Sequence, residues 1–173
     1  MKNKIVIREI SDRDFDPNYQ MGSLNGYGIR RASRGVLING NKIALLNATK
    51  YNYHKLPGGG IEKGESINQA FKREILEEVG CDCEILDQSG FVIEWRDKFK
   101  LLQISYVFLA KVVSKVGKNK FEQDEINEGF KLEWMPFKNA TKILEEDKSI
   151  NYEGNFVKLR DISIIEFYKD KLS

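Results

Sequence analysis

Apolar positions recur with two different periods along this chain, and the changes of period mark its elements. Between Phe99 and Val113 the residues Leu102, Ile104, Tyr106, Phe108, Ala110 and Val112 stand two apart. That alternation predicts a strand with one packed face. Lys4–Ile10, Ile29–Ile38, Lys42–Asn47, Cys83–Arg96 and Phe130–Met135 are further strand-like runs. Asn39-Gly40-Asn41 joins the second and third strands as a hairpin, because such residues tolerate the turn's backbone. From Ile67 to Val79 the period becomes helical, with Ile67, Ala70, Phe71 and Ile75 on one arc,. Ser66 is a good N-cap, Gln69 completes a capping box, and Gly80 stands where a left-handed residue ends a helix,. Asn139–Asp147, after Pro136, is a second predicted helix. Glu153–Lys171 contains a third, with Phe156, Leu159, Ile162 (or Ser163) and Phe167 on one side. Asp12–Gly28 and Ser114–Asn127 are polar and read as loops,. Leu56-Pro57-Gly58-Gly59-Gly60 is expected to be neither helix nor central strand,.

Strands dominate, helices are interspersed, and tight hairpins exclude a purely parallel sheet. The fold class is therefore mixed α/β (α+β), a layered fold. No linker, repeat or low-complexity tract divides residues 1–173, so one domain is expected,. Composition changes this picture little: 41% of residues are hydrophobic and 31% charged, an ordinary globular balance. Basic residues number 28 and acidic residues 26. A protein that coats nucleic acid needs a larger basic excess, so nucleic acid is not the expected partner. Cys81, Cys83 and His54 are too few for a structural zinc site,. The plain reading is reduced thiols in a cytoplasmic protein. The opening MKNKIVIREI lacks the apolar stretch of a signal peptide,. No window approaches the roughly 20 apolar residues of a membrane span, so no membrane partner is expected.

The candidate chemistry lies on the first helix. Glu74, Glu77 and Glu78 stand at i, i+3 and i+4 and crowd one face,. A solvated acidic face would lie opposite the apolar arc. Here Glu74 and Glu78 flank the direction of Phe71 instead, so they intrude on the side that should be packed. Carboxylates there are costly unless a cation compensates them. Hard divalent ions such as Mg²⁺ take carboxylate oxygens and phosphate oxygens together. Arg73 can reach Glu77 at i, i+4. Ahead of the helix, Gly58, Gly59 and Gly60 let backbone pass close to a ligand.

These residues resemble the Nudix box, G-x5-E-x7-R-E-U-x-E-E-x-G-U with U aliphatic. The match falls at Gly59, Glu65, Arg73, Glu74, Ile75, Glu77, Glu78 and Gly80. Cys81 departs from the usual aliphatic residue, but it is a small hydrophobe. Seven fixed identities at about 5–7% usage each coincide by chance on the order of once in 10⁹ positions. The resemblance to the Nudix hydrolase (MutT-like) family implies an α/β/α sandwich around a mixed sheet. It implies hydrolysis of the diphosphate in a nucleoside diphosphate linked to another moiety, with Mg²⁺ (or Mn²⁺) as cofactor. Glu74, Glu77 and Glu78 would be metal ligands, with the Gly58 carbonyl as a fourth. Glu65 and Arg73 would orient the loop and the glutamates. The general base is left open between a box glutamate and a distant acid among Glu122, Asp124, Glu125 and Glu128. Glu128 resembles the extra metal-binding glutamate of some triphosphate-cleaving members.

The box defines the cut and leaves the substrate open. Gly59, Gly60, Arg34 and His54 are candidate substrate contacts, and Arg30 and Arg31 share the strand of Arg34. Tyr51, Tyr53, Trp95, Phe99 and Trp134 are candidates for stacking a base or for the core. The leading expectation is a nucleoside triphosphate pyrophosphatase. Alternatives are an ADP-ribose or nucleotide-sugar hydrolase, an RNA 5′-end pyrophosphohydrolase, and a nucleotide-binding regulator without catalysis. The family analogy also makes a homodimer a candidate assembly.

Overall fold

The computed structural model describes residues 4–172. The strands are β1 (Ile5–Ser11), β2 (Gly28–Asn39), β3 (Lys42–Ala48), β4 (Tyr53–Lys55) and β5 (Gly58–Gly60), then β6 (Cys83–Arg96), β7 (Leu101–Val112) and β8 (Phe130–Pro136). The helices are α1 (Ile67–Glu74), α2 (Gln123–Asn127), α3 (Phe137–Glu146) and α4 (Tyr152–Leu172). Ser66 and Gln69 close the expected capping box: Gln69 N–H donates to Ser66 Oγ at 3.3 Å and Ser66 N–H to Gln69 Oε1 at 2.9 Å. Beyond Glu74 the helix widens into a π-type turn over Ile75–Val79. Gly80, at φ +77°, then ends it, with its N–H on the Ile75 and Leu76 carbonyls.

Two segments are more regular than expected. The polar stretch before β8 contains the short helix α2. The glycine run is a strand, pairing antiparallel with β2 at Ala32↔Gly60, Ser33↔Gly59 and Arg34↔Gly58. The missing side chains make this possible. A β-carbon at Gly58 would sit 2.5 Å from Arg34 Cα, and Gly58 holds φ +132°. Only glycine brings the backbone that close in that conformation.

The sheet runs β1-β6-β7-β2-β3-β4, with β5 beside β2 and β8 beside β3. β1/β6 and β2/β7 are parallel; β6/β7 and β2/β3 are antiparallel. The mixed sheet matches the expected class. β2 and β3 pair only at Ile38↔Ile43 and Asn39↔Lys42. Past the hairpin, β2 turns to β5 while β3 pairs with β8 and β4. That parting opens the sheet where the site lies.

Alternate residues of the strands feed two cores, as period two requires. Leu37, Ala44, Phe108 and Ala110 pack with Phe71, Ile75 and Val79 of the α1 segment, beside Cys81 and Cys83. Val36, Ile43, Leu45, Val107 and Leu109 pack with Ala140 and Leu144 of α3 and with Phe156, Ile164, Ile165 and Tyr168 of α4. The sheet is therefore covered on both faces.

The buried side is not always the apolar one. At the start of β7, Gln103 and Ser105 are fully buried, while Leu102, Ile104 and Tyr106 of the expected packed face are only partly covered. On α4 the buried stripe includes Phe156, Val157, Arg160, Asp161, Ile164, Ile165 and Tyr168. The expected Leu159, Ile162 and Phe167 lie at its edge, partly buried. Both shifts have one cause. A buried polar network of Glu94, Arg96, Gln103, Ser105, Arg160 and Asp161 occupies the space between β6, β7 and α4.

Candidate active site

Arg73 is the hub that joins loop to helix. Its Nε donates to Glu65 Oε1 at 2.9 Å and its second terminal nitrogen to Glu65 Oε2 at 3.1 Å. The same nitrogen reaches the Gly60 carbonyl at 2.9 Å. The other terminal nitrogen donates to Glu74 Oε1 at 2.8 Å and Glu77 Oε2 at 3.0 Å. One planar fork thus fixes three carboxylates and the glycine strand, a geometry an ammonium cannot supply. Its hydrogen bonds hold Glu65 below the usual carboxylate range. Glu65 also caps the loop by accepting from Glu62 N–H at 3.0 Å.

Glu78 turns inward from the π-type turn and is 1% exposed. Gly58 N–H donates to its Oε2 at 2.6 Å. Its Oε1 is buried without a hydrogen-bond partner. The Lys55 ammonium lies 2.9 Å from that oxygen, close but outside hydrogen-bonding geometry. Burial pushes the Glu78 carboxyl up to about 8, against the pull of Lys55,. Glu74 is also raised, by burial first, with Arg73 opposing. A β-carbon on Gly59 would lie 2.6 Å from Glu74 Cδ. The missing side chain of Gly59 is therefore the seat of the Glu74 carboxylate.

These groups line a polar cleft of about 440 Å³. Gly58, Gly59, Gly60, Arg73, Glu74 and Glu78 form one part of its wall. Glu77 shares the Arg73 fork but is absent from that wall, with its side chain 34% exposed. Arg34, buried under the cleft floor, is brought in as expected, and so is Arg30. Arg31 points elsewhere, over the Tyr106 ring at 5.2 Å. Glu122, Asp124, Glu125 and Glu128 all reach the cleft. Glu125 comes nearest to the buried carboxylate, since Lys55 lies between it at 3.7 Å and Glu78 at 2.9 Å. Glu128 lies partly buried at the mouth, its carboxyl raised by burial first and then by Glu153, with Lys55 opposing. Of the aromatic candidates, only Tyr53 lines the cleft.

His54 is a correction. Alternation along β4 sends Tyr53 and Lys55 into the cleft and His54 away from it,. Its Nδ1 meets Asp147 Oδ1 at 2.9 Å, and its N–H donates to Asp147 Oδ2 at 2.6 Å. It ties β4 to the residue after α3 and lies outside the cleft lining. The sequence reading also missed Lys55, Arg96 and Arg160, all cleft residues. A signal existed for two of them. Arg160-Asp161 interrupts an otherwise apolar helical stripe, and Glu94 and Arg96 stand at buried positions of an alternating strand.

The donor set suits a hard divalent cation. Carboxylates gather at a buried point, the Glu78 Oε1 atom has no hydrogen-bond partner, and a lysine ammonium already supplies positive charge beside it. Among the described residues, no three acidic, histidine or cysteine groups are drawn into a ready coordination shell. Arg73 and Lys55 hold the carboxylates instead.

The cleft thus brings Glu74 and Glu78 together with Arg30, Arg34, Lys55, Arg96 and Arg160. A family model, the NUDIX domain, matches residues 29–154, more than half of the chain. The chain belongs to the Nudix family. It is 27% identical over 114 residues to diphosphoinositol polyphosphate phosphohydrolase 2 of Rattus norvegicus, a match covering 65% of this chain and 60% of that protein. It is 33% identical over 85 residues to RNA pyrophosphohydrolase of Blochmanniella pennsylvanica, covering 46% of this chain and 52% of the relative. The match thus spans little more than half the length of these relatives. Among solved structures, a NUDIX hydrolase from Nitrosomonas europaea superposes with TM-score 0.62 at 19% identity, covering 83% of this chain and 91% of the other. That likeness concerns the fold. No helix among the described residues is long and apolar enough to cross a membrane.

Proposed function

We propose that this chain hydrolyses a phosphoric anhydride in a nucleotide, with Mg²⁺ (or Mn²⁺) as cofactor and a nucleoside triphosphate as the leading substrate. The carrying observation is the Arg73 fork, which holds Glu65, Glu74 and Glu77 in one orientation beside the buried Glu78 carboxyl group. Glu74, Glu77, Glu78 and the Gly58 carbonyl would hold the metal. When bound, a divalent ion neutralises anhydride oxygens and makes water a better nucleophile. The chain's own residues do the positioning. Gly59 leaves room for the Glu74 carboxylate, and Gly58 N–H orients Glu78. Lys55 keeps positive charge at the Glu78 and Glu125 carboxylates. Either Glu125 or Glu128 serves as the acid outside the helix, and Glu125 is favoured by its shared lysine. The names of both relatives denote cleavage of phosphoric anhydrides, which supports the reaction class.

The test is a panel of nucleoside triphosphates, ADP-ribose and nucleotide sugars, assayed for released phosphate or pyrophosphate with Mg²⁺. Glu77→Gln and Glu78→Gln should each lower kcat by about 10²-fold or more, since each removes a carboxylate donor from the metal's seat, while thermal melting shows a folded protein. Near wild-type kcat in both variants overturns the assignment of these carboxylates. Ligand binding without turnover across the panel replaces it with a nucleotide-binding regulator.

A further inference from the structure

The glycine strand divides the cleft into two chemical halves. Gly59 faces the Glu74 carboxylate of α1, whereas Gly60 faces the Arg30 guanidinium and Gly58 abuts Arg34. Four guanidinium groups line the second half: Arg30, Arg34, Arg96 and Arg160. Two of them have carboxylate partners. Arg96 pairs with Glu94 at 2.7 Å and Glu153 at 3.2 Å. Arg160 pairs with Asp161 at 2.7 Å and Glu94 at 3.6 Å.

The other two do not. Among the described residues Arg34 makes one hydrogen bond, from Nε to Ser105 Oγ at 3.3 Å, and no ion pair. It is nevertheless only 4% exposed. Arg30, exposed at the rim, donates only to the neutral Gln103 side chain at 2.8 Å. Both lie on one face of β2, four residues apart,. Burial, and then repulsion from Arg160, lowers Arg34 to about 9, so it still carries its charge at neutral pH. Asp161 and Glu94 offset this charge only from beyond ion-pair distance, a buried charge without a contacting partner is costly, and the guanidinium lines the cleft. The carboxylates of α1 cannot compensate it, since Arg73 and Lys55 already hold them.

We propose that Arg34 and Arg30 form a second phosphate subsite, which takes a phosphate group beyond the anhydride that is cut. The ligand is then a linear triphosphate, and a nucleoside diphosphate joined to an uncharged group leaves the subsite empty. Two guanidiniums without a carboxylate at ion-pair distance leave their forks free for the oxygens of a terminal phosphate. This subsite rests on the reading of the cleft as a diphosphate site and refines which diphosphate compounds it takes.

Binding separates the two ideas without turnover. Titration calorimetry in EDTA would compare α,β-methylene-ATP with α,β-methylene-ADP, which differ by the terminal phosphate. Wild type should bind the triphosphate about tenfold more tightly or better, the value of one charge-assisted contact. Arg30→Gln and Arg34→Gln should each bring that ratio close to one, and Arg34→Lys should restore part of it. Arg30 is on the rim, so Arg30→Gln keeps the fold and decides the matter if Arg34→Gln does not fold. Equal affinities in wild type, or an unchanged ratio in Arg30→Gln, overturn the subsite. If wild type shows the ratio but hydrolyses nothing in the panel above, the proposed reaction fails and the subsite stands. If it hydrolyses diphosphates with no such ratio, the subsite fails and the reaction stands.

Discussion

Gly59 carries information that its own chemistry does not display. Its φ is ordinary, and its value lies in the carboxylate that occupies the space of a missing β-carbon. Gly59→Ala should therefore displace Glu74 without straining the backbone. The expected result is a fall in kcat of about 10²-fold, the usual scale for a misplacement near 1 Å, with a melting temperature close to wild type. Unchanged kcat would show that Glu74 need not sit where Gly59 lets it. The same scale shows what residue types could and could not reveal. Glu74, Glu77, Glu78 and Arg73 were legible because helical spacing alone brings them together. Lys55 was not, because its partner Glu78 lies 23 positions away and only the meeting of β4 with the α1 segment joins them.

At the scale of elements, α1 shows how local signals suffice. Its start rests on Ser66 and Gln69 and its end on Gly80, all read from neighbours in sequence. Ser66→Ala should cost about 1 kcal/mol of stability, the usual worth of an N-cap, measured by denaturant unfolding. A loss below the error of that measurement would mean that tertiary packing alone holds the helix start. The π-type turn at Ile75–Val79 was not legible, since its sequence fits an α-helix equally well. Strand β5, paired with β2 alone, was not legible for a related reason. Glycine has poor strand propensity, and only the approach of β2 makes a glycine run the one backbone that fits. β4 shows the limit from the other side. A three-residue strand has too few positions to display alternation, so the face of His54 could not be read.

For the molecule as a whole, the polar network beneath the cleft ties stability to pH,. Glu94 is fully buried and accepts from Arg96 at 2.7 Å and Gln103 at 2.6 Å. Burial works against its ionisation, but Arg160, Arg96 and Arg34 prevail and hold it at about 2, below the ordinary 4.5. A depressed carboxyl stabilises the fold fully above its unfolded value and loses that contribution as pH falls through its folded value. Glu94→Gln should thus cost about 3 kcal/mol near neutral pH, the scale of a broken buried ion pair. The difference from wild type should shrink as pH falls from about 4.5 toward about 2,. Stability curves for the two proteins at several pH values would check it. A difference that stays constant through that window would place the loss in packing instead of charge.

Sequence alone determined the carboxylate-bearing helix, the mixed layered fold and the family, because each rests on residues close together or on a periodicity that survives without tertiary contacts. Tertiary structure alone decided which way β4 faces, why three glycines form a strand, and which arginines are left without a carboxylate at ion-pair distance. Those outcomes depend on pairings between distant segments, such as Arg34 with Gly58 and Arg160 with Glu94. Charge balance in a buried space is a property of everything that converges there, and no window of sequence contains all of it.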